Sequence, residues 1–543
     1  MKINKQFKIS IILDSTYVSK SIFELIEWLK KHPDLEIHFI LIQSNRKIYL
    51  SQLSYLHRLN SILDHIAWNI VQYFESIYYK QYHSGHLKYH INFNHRDDML
   101  DLRKIPSAEI EHSSSISSAL KKLNTDLMIS LNLCPYSRNL KKFSKLGLLF
   151  FDHFKSEDRH YRHIGFDEVY EKRGKTGFSI LRLQNNIDSA EILFKGAFPT
   201  HIYFLANHLN ILKRRNFYFK KYMFAILKKT LIKNDIEINS VKRIEKFDLP
   251  PNLLKQSIYI WKSMMQRLIS IKNKIFKKER FWKIGFIYSD WNDFKNNEIH
   301  IIENPINCYL ADPFVIKVED KNYCLAEEYS FDKCKGVIVA YELEGKNSKR
   351  IGEIIKEPFH MSFPYIFKFQ ERIFMIPETS ENKDIRIYES VKFPHEWKLN
   401  QVVMKNVFAV DSMIFNFQNR WWLFSNINPE NGSDACSELY IYSSNNPLSG
   451  QWQPHKLNPV MVNSDRARNG GILYKDNKIF RVSQKQNFGR YGAEFAINEI
   501  IELTKNEFTE KKISHIKPDF IKNGLATHHC HSNNDITVID FLT

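Results

Sequence analysis

Acidic side chains recur at matching places of a repeated pattern in the second half of the chain. Asp312 and Glu327 open and close one copy, Glu378 closes the next copy, and Asp411 opens the third. Carboxylates that face each other can act as an acid and a base when their surroundings separate their pKa values. We therefore take Asp312, Glu378 and Asp411 as candidate catalytic residues and Glu327 as a candidate substrate ligand. The alternative is that these side chains only bond to neighbouring backbone groups and water.

Basic, imidazole and amide side chains accompany these carboxylates. We assign substrate binding also to His360, Arg466, Arg468, Gln484, Tyr491, His528 and His531. The two arginines that flank Ala467 suit a clamp for a phosphate or carboxylate group. The cysteines form no CxxC pair, and no carboxylate stands at helical spacing from the Thr-His-His-Cys-His segment that contains His528. We therefore expect no metal ion.

The repeat predicts the elements that must position these residues. Each copy is an apolar strand, a tight polar turn and a second strand that ends in a polar residue. Residues 312–327 align without gaps with 363–378, 411–426 and 469–484, and a weaker fifth copy ends at Asp540. Hairpins that recur about every 50 residues are typical of propeller blades. We predict an all-β five-bladed propeller over residues 281–543, with strands Trp282–Tyr288 and Glu298–Ile302 completing the fifth blade.

The first half alternates strands and helices instead. Continuous apolar runs at Lys8–Leu13, Leu35–Leu41 and Asp126–Asn132 predict buried strands, with a helical pattern between the first two. This alternation predicts an open α/β domain over residues 1–200. Residues 201–280 are predicted to be a basic helical connector. Within it, residues 253–278 combine an apolar stripe with many lysines, which fits either packing on a neighbouring domain or contact with an anionic membrane.

Composition limits the partners. The chain has 543 residues, a formal net charge of +18 and 43% apolar residues, which indicates several folded domains and an anionic partner or a simple lysine bias. Nucleic acid is disfavoured because the positive charge is spread out and no binding motif is present. The N-terminus has no leader pattern and no apolar run is long enough to span a bilayer. We expect a cytoplasmic protein, with peripheral contact through 253–278 to the inner face of the membrane.

Part of the first half resembles formyltransferase-type domains. The resemblance is carried by Gly147–His153, Tyr161-Arg162, Lys175–Leu183 and Ile187-Asp188. It implies that an Asn, a His and an Asp position a reduced folate and the accepting amine. Asp188 matches that Asp, whereas Phe150 and Asp152 occupy the Asn and His positions, and His153 follows one place later. We take Asp188 and His153 as the catalytic candidates of this half, and the substitutions leave the cofactor undetermined.

The second half carries more specific resemblances. Ala311-Asp312-Pro-Phe314 resembles the first-blade motif of five-bladed furanosidase-type glycosidases, which implies Asp312 as general base and Glu378 as acid. The resembling segments of a second family include residues 310–314, 357–364, 375–379, 410–415, 420–424 and 467–471. They resemble bacterial proteins that join a formyltransferase-like domain to a propeller like the N-terminal region of plant glucosamine inositolphosphorylceramide transferases. The separate glycosyltransferase domain of the plant proteins has no counterpart in this sequence.

Three functions follow. The first is a transferase of cell-surface polysaccharide biosynthesis that acts on a sugar, or on its activated or lipid-linked form, with the glycan in the propeller channel. The second is a non-catalytic glycan-binding or scaffold protein with a degenerate formyltransferase-like domain, in which aromatic rings such as Trp421 or Trp422 stack on sugars. The third is a furanosidase-type glycoside hydrolase. The first function is the one that the sequence favours.

Overall fold

The computed structural model describes most of the chain. The described residues are 6–42, 54–78, 88–91, 99–104, 113–131, 140–153, 164–184, 190–230, 238–239, 250–275, 281–293, 297–430, 434–533 and 535–543. The chain divides into two compact units. The first comprises Met1–Gly196 and Thr200–Phe276, and the second comprises Ala197–Pro199 and Lys277–Thr543.

The first unit is built on an open, mixed sheet. Its strands are β1 (Phe7–Leu13), β2 (Tyr17–Ser19), β3 (Leu35–Leu41), β4 (Lys88–His90), β5 (Met99–Asp101), β6 (Leu127–Ser130), β7 (Leu148–His153), β8 (Lys175–Leu183), β9 (Ala190–Pro199) and β10 (Ile238–Asn239). Eight of them form one sheet in the order β10-β9-β8-β7-β6-β1-β3-β5, and β2 pairs with β4. From β5 to β7 the neighbours are parallel. The apolar runs predicted as strands are therefore confirmed, and β1 is buried from residue 9 to residue 13, as in sheets covered on both faces.

Six α-helices accompany this sheet in the described part of the first unit. They are α1 (Lys20–Lys31), α2 (Tyr55–Tyr78), α3 (Ser114–Lys122), α4 (Phe166–Tyr170), α5 (Phe204–Leu227) and α6 (Leu253–Ile275). No helix among the described residues is both long enough and apolar enough to cross a membrane. The folate-binding and formyl-transfer expectations are not tested by this arrangement and stay predictions.

Helices α5 and α6, which lie in the segment 201–280 predicted as a connector, pack within the first unit. Phe219 of α5 lies against Phe151 of β7, with ring centroids 4.8 Å apart. The hydroxyl of Tyr259 in α6 accepts a hydrogen bond of 2.9 Å from the backbone N–H of Phe204. The composition of this segment suggested a separate basic connector, because composition reports only charge. The unit to which a helix belongs is decided by its buried contacts, here between aromatic rings.

The second unit is a five-bladed β-propeller, as the repeat predicted. Its strands are β11 (Trp282–Ile287), β12 (His300–Ile302), β13 (Cys308–Val318), β14 (Lys321–Ser330), β15 (Lys335–Glu344), β16 (Asn347–Ile355), β17 (Ser362–Phe369), β18 (Arg372–Glu378), β19 (Asp384–Lys392), β20 (Glu396–Lys405), β21 (Ala409–Phe417), β22 (Arg420–Ile427), β23 (Glu438–Ser444), β24 (Gln453–Pro454), β25 (Met461–Val462), β26 (Asn469–Lys475), β27 (Lys478–Asn487), β28 (Arg490–Leu503), β29 (Phe508–Ile516), β30 (Cys530–Asn533) and β31 (Ile536–Leu542). Strands β13–β16, β17–β20, β21–β25 and β26–β29 form blades one to four.

The fifth blade joins the two ends of the unit. Its strand order is β12-β11-β31-β30, so the strands predicted from residues 282–288 and 298–302 do complete it. The innermost strands β13, β17, β21, β26 and β30 contact one another in a closed ring, β30 returning to β13. Closure of the ring leaves the inner strands without a free edge.

The hairpins share two irregularities that aim the polar residues. Each of the first four turns has two consecutive residues with positive φ, such as Glu319 and Asp320, which is the type I′ geometry that matches strand twist. Each of the first four inner strands also carries a bulge near its start. Asp312 and Asp411 lie in these bulges with φ of 51° and 47°. A bulge re-aims the side chain that it displaces.

The fourth blade departs from the gapless repeat by one residue. Glu327 pairs with Ala311 across its hairpin, and the equivalent partner of Asn469 is Ser483, not Gln484. The inner strand of this blade is one residue shorter between its bulge and its turn, so an alignment without gaps is displaced there.

One buried charge in the first unit has no counter-charge among the described residues. Arg215 of α5 is 4% exposed, and its guanidinium lies 4.5 Å from the ring centroid of Phe151. Its Nε and Nη2 atoms have no hydrogen-bond partner, and burial lowers the pKa of Arg215 to about 10. A buried charge without a partner costs desolvation free energy that no attraction offsets.

We therefore predict that Arg215→Met stabilises the first unit. The unbranched side chain keeps the contact with Phe151 and removes the charge, so the free energy of unfolding should rise by about 1–3 kcal/mol at neutral pH. Differential scanning calorimetry measures the change. Arg214→Met is the control, since Arg214 is equally buried but has interaction partners, and it should not stabilise. A lower melting temperature for Arg215→Met would contradict the prediction.

Candidate functional site

The centre of the propeller gathers polar side chains from all five blades. The equivalent ends of the second strands carry Glu327, Glu378, Asn426, Ser483 and Asp540. Four of these five are at most 5% exposed, and Glu378 is half-buried. The bulge residues Asp312 and Asp411 join them. Closure of the inner ring is what brings residues this distant in sequence together.

His528 lies between two aspartates at the junction of the first and fifth blades. Its Nε2 is 3.1 Å from Oδ1 of Asp312 and its Nδ1 is 3.0 Å from Oδ2 of Asp540. Burial by itself would lower the pKa of His528, but the two carboxylates raise it to about 10. The ring is therefore an imidazolium at neutral pH. Trp282 covers it, with ring centroids 4.2 Å apart.

Asp540 anchors this junction through backbone groups as well. Its Oδ2 accepts a hydrogen bond of 3.3 Å from the N–H of Asp312, and its Oδ1 accepts bonds of 3.1 and 3.0 Å from the N–H groups of His528 and His529. The donor atoms of Asp312, His528 and Asp540 lie within 4.8 Å of one another, a spacing that a metal ion could bridge. A metal ion would require the neutral imidazole of His528, whereas the two carboxylates raise the pKa of His528 and favour the protonated ring when no ion is bound.

Asp411 and Arg468 form the second ion pair of the centre. Nε and Nη2 of Arg468 donate to Oδ2 and Oδ1 of Asp411 at 2.6 and 3.3 Å. Gln484 donates from Nε2 to the same Oδ2 at 3.0 Å. Burial raises the pKa of Asp411 to about 7. The negative charges of Glu378 and Asp312 add to this increase, and the positive charge of Arg468 opposes it. The guanidinium of Arg468 lies 4.8 Å from the ring centroid of Tyr491.

Two glutamates complete the acidic cluster. Burial raises the pKa of Glu378, although Ser380 donates a hydrogen bond of 2.7 Å to its Oε1. Burial and the nearby charges of Asp312 and Glu378 raise the pKa of Glu327 well above its ordinary value. Oε1 of Glu327 accepts no hydrogen bond from any described residue.

His360 faces Glu327 in a defined tautomer. Its Nδ1 accepts a hydrogen bond of 2.9 Å from the N–H of Gly336, so a neutral ring carries its proton on Nε2, which is 3.7 Å from Oε1 of Glu327. Burial lowers the pKa of His360, which favours that neutral form. A Cβ atom on Gly336 would lie 2.7 Å from Oε1 of Glu327, so glycine is required for this approach.

The arrangement separates two kinds of carboxyl group. Burial raises the pKa of Glu327 and of Glu378, which suits a general acid, whereas both oxygens of Asp411 accept hydrogen bonds from Arg468. Asp312 faces His528, an arrangement that suits a general base or a hydrogen-bond acceptor. Carboxyl groups in such different surroundings can divide acid and base roles.

Most of the substrate-binding candidates join this cluster, but two do not. His360, Arg468, Gln484 and His528 contact its carboxylates, and Tyr491 covers Arg468. Arg466 instead pairs with Glu510 at 3.0 Å, because the turn before β26 breaks the alternation that would have aligned it with Arg468. His531 accepts a hydrogen bond of 3.2 Å from the N–H of Val315 and packs on Phe314.

The two arginines of the predicted clamp pair with different carboxylates, Arg468 with Asp411 and Arg466 with Glu510, and the clamp stays a prediction. The two tryptophans proposed to stack on sugars lie away from the centre. Trp422 is buried in the hydrophobic core and Trp421 packs against it. Neither ring can stack on a sugar at the centre, because the hairpin places both among the apolar contacts between blades.

The candidates of the first unit cannot be placed in the same way. Asp188 lies outside the described residues, and His153 ends β7 with its side chain outside the described part. Phe150, at the position of the expected Asn, is 3% exposed and belongs to the apolar core. The catalytic role of Asp188 and His153 therefore stays a prediction.

Sequence reasoning missed three residues at the centre. Asp540 closes the fifth copy of the repeat, and that position was the signal that could have added it to the site. Tyr309 stacks on Tyr329, with ring centroids 4.9 Å apart, and burial together with the charges of Glu327 and Asp312 raises its pKa. Tyr309 and Trp282 lie outside the repeated columns, so no pattern indicated them.

A five-bladed propeller with a carboxylate cluster at its centre is the class that the second unit defines. Residues 297–536 match the family model described as glucosamine inositolphosphorylceramide transferase 1, N-terminal. The match bears out the predicted resemblance of the propeller to the N-terminal region of that transferase.

Curated proteins of that name are similar to this chain over the same region. Glucosamine inositolphosphorylceramide transferase 1 of Oryza sativa subsp. japonica is 33% identical over 232 residues, which are 41% of this chain and 31% of the relative. The Arabidopsis thaliana protein is 34% identical over 233 residues, 41% of this chain and 30% of the relative. The chain thus spans about a third of the length of these relatives.

Solved structures of glycoside hydrolases also align with this chain. Zg3597, a family 117 glycoside hydrolase of Zobellia galactanivorans, aligns with a TM-score of 0.32 and 11% identity over 48% of this chain and 90% of that chain. The catalytic domain of the Coprinopsis cinerea GH62 α-L-arabinofuranosidase aligns with a TM-score of 0.33 and 11% identity over 43% and 90%.

His528→Gln should strongly destabilise the propeller. The change leaves Asp312 and Asp540 buried and facing each other without a cation, which costs about 3–5 kcal/mol. The folded pKa of His528, about 10, lies above its ordinary value of 6.5. The stabilisation is therefore complete below about pH 6.5 and is lost as the pH rises through about 10.

Thermal unfolding at several pH values tests this prediction. The difference in melting temperature between the wild type and His528→Gln should persist to about pH 8 and shrink towards pH 10. His515→Gln is the control, because His515 pairs with Glu494 at 2.7 Å where the two side chains are 30% and 17% exposed, and we expect a cost of less than about 1 kcal/mol. Equal losses for the two variants would contradict a special role of His528.

Glu327→Gln should stabilise the propeller, with a gain that grows with pH. The folded pKa of Glu327 lies above the unfolded value, so the wild type loses stability as the pH rises from about 4.5 through the raised pKa. The amide keeps the shape and cannot ionise, and we expect a gain of about 1–3 kcal/mol near neutral pH. Melting temperatures between about pH 5 and about pH 8 measure it. A variant less stable than the wild type at the upper end would be the opposite result.

Proposed function

We propose that the second unit binds a sugar at its acidic centre and that the chain is a transferase acting on an activated or lipid-linked sugar in cell-surface polysaccharide biosynthesis. The observation that supports this proposal is the convergence of Asp312, Glu327, Glu378 and Asp411 in a propeller that matches a family model named for a sugar–lipid transferase. The curated relatives carry the same name.

The charges of the centre favour a neutral, hydroxyl-rich ligand. Both cations of the cluster already face carboxylates, Arg468 towards Asp411 and His528 towards Asp312 and Asp540. The acidic groups have spare acceptor capacity, most clearly at Oε1 of Glu327. Sugar hydroxyl groups donate to such oxygens, whereas a bare phosphate would meet excess negative charge.

The separated carboxyl groups support transfer chemistry. A glycosyl group moves when the oxygen that leaves receives a proton and the accepting hydroxyl loses one. Glu378, whose pKa is raised by burial, suits the first role. Asp312 suits the second, with His528 acting as a positioning residue that keeps the carboxylate oriented.

A second function is a glycan-binding or scaffold protein without turnover. The matched region is about a third of the relatives, so their activity need not reside in it. The bidentate pair between Asp411 and Arg468 also has the character of a structural contact. The proposed transferase must therefore be tested by activity and not by sugar binding alone.

We predict that Asp312→Asn and Glu378→Gln each lower the rate of sugar transfer by roughly 10²–10⁴-fold, the usual contribution of a general acid or base. The purified full chain is incubated with nucleotide sugars or lipid-linked sugars, and product is measured by mass spectrometry. Glu389→Gln is the control, because Glu389 is buried in the same unit but pairs with Arg372 away from the centre.

The outcomes separate the three functions. Unchanged transfer by both variants would remove the proposed roles. Sugar binding in thermal-shift measurements without turnover of any donor would favour the scaffold, since a ligand raises the melting temperature by mass action. Release of free sugar from aryl glycosides would favour the furanosidase-type hydrolase.

A further inference from the structure

Helix α2 of the first unit is turned with its apolar side outward. Leu56, Leu63, Ile66 and Phe74 recur at helical spacing, and between 44% and 69% of each is exposed. The side that faces the unit instead carries Trp68 and polar groups such as Asp64 and Glu75. In a helix of a soluble protein the apolar stripe normally faces the core.

Helix α6 also has apolar residues on its outer side. Trp261, Met264 and Leu268 are between 57% and 63% exposed. On another side of the helix, Lys262 is partly buried and donates a hydrogen bond of 3.0 Å to the carbonyl of Tyr170, whereas Lys272 near the end of the helix is exposed. The apolar stripe noted in the sequence therefore does not pack on a neighbouring element.

Hydrogen bonds hold both helices in this orientation. Glu75 of α2 accepts a hydrogen bond from the hydroxyl of Tyr259 in α6 and another, of 2.8 Å, from the N–H of Leu205. Asp64 accepts a bond of 2.8 Å from the N–H of Leu253, at the start of α6. Rotation of either helix to bury its apolar side would break these bonds.

The two helices run side by side, so their exposed apolar residues form one surface, here named the apolar helix surface. Residues 253 and 259 of α6 meet residues 64 and 75 of α2, which aligns the helices in the same direction. A helix of this length extends for about 35 Å. Soluble monomers rarely expose an apolar patch larger than a few hundred Å², so this surface calls for a partner.

Charge favours a lipid bilayer over a second copy of the chain. Helix α6 contains five basic residues and no acidic one, and Lys277, Lys278 and Arg280 follow it in sequence. Two copies joined here would bring these basic segments together in chains that each have a net charge of +18. Anionic headgroups would neutralise the same charges. Trp261 is also of the type that prefers the boundary between acyl chains and water.

We propose that the apolar helix surface of α2 and α6 docks on an anionic lipid bilayer, with both helices lying in the plane of the headgroups and their apolar sides in the acyl boundary. The inference rests on exposure, hydrogen bonding and charge in the first unit. It does not depend on the acidic centre of the propeller, and it would bring a protein that acts on lipid-linked sugars to the surface that holds them.

The test is co-sedimentation of the full chain with vesicles. We expect binding to vesicles of phosphatidylcholine with phosphatidylglycerol, weaker binding to phosphatidylcholine alone, and weakening by salt. Leu63→Glu and Trp261→Glu should each lower the partition coefficient by about tenfold to a hundredfold, since a large apolar side chain no longer enters the bilayer. Both side chains are exposed, so the variants should keep the wild-type melting temperature.

Ile306→Glu is the matched control, because Ile306 is 92% exposed but belongs to the second unit, and it should bind vesicles like the wild type. Absence of wild-type binding to the anionic vesicles would overturn the proposal, as would unchanged binding by Leu63→Glu and Trp261→Glu. A dimer in sedimentation velocity that Trp261→Glu converts to a monomer, without vesicle binding by the wild type, would assign the surface to a second copy. Sugar transfer to a water-soluble acceptor is measured in parallel, so that loss of lipid docking and loss of the proposed activity are distinguished.

Discussion

The contact of His528 with Asp312 and Asp540 is the interaction on which the second unit depends. It joins the inner strand of the first blade to the fifth blade, which itself combines strands from both ends of the unit. Closure of the ring aligns the bulges and strand ends of five hairpins, and this alignment creates the acidic centre. The same contact provides a buried cation that offsets part of the accumulated negative charge.

Gathering acidic side chains at the centre lowers the folding stability of the propeller. Burial raises the pKa of Glu327, Glu378 and Asp411, and the negative charge of Asp312 adds to each increase. A core built for stability alone would not gather these groups. Buried groups with strongly shifted pKa values concentrate at functional sites, although structural networks also contain them. Here the shifts coincide with an Oε1 atom of Glu327 that accepts no hydrogen bond from a described residue and with neighbouring aromatic rings, and these features support the proposed sugar site.

An amphipathic helix can pack with either its apolar or its polar side towards the protein, and helices α2 and α6 of the first unit show the second case. The stripe of α6 is evident from residue spacing, but spacing does not tell which side packs inward. The choice was made by Glu75, Tyr259 and Asp64, whose hydrogen bonds hold the polar sides of α2 and α6 against the unit. Buried polar groups that are fully bonded can outweigh apolar burial in setting the orientation of a helix, and the apolar side is then left for a partner.

The sequence by itself determined the five blades and the closing role of strands 282–288 and 298–302. It also determined the convergence of four acidic residues, Asp312, Glu327, Glu378 and Asp411. Both follow because hairpin repeats and strand ends are local patterns with a fixed geometry. Only the tertiary structure decided that Arg466 and His531 bond to groups outside the acidic centre and that Trp421 and Trp422 belong to the core. It also showed that the gapless alignment of the repeat is displaced by one residue in the fourth blade. It also decided that Lys262 of α6 bonds to the carbonyl of Tyr170 while Trp261 stays exposed. These outcomes depend on which groups meet across long separations in sequence, and residue types and spacing carry no record of such partners.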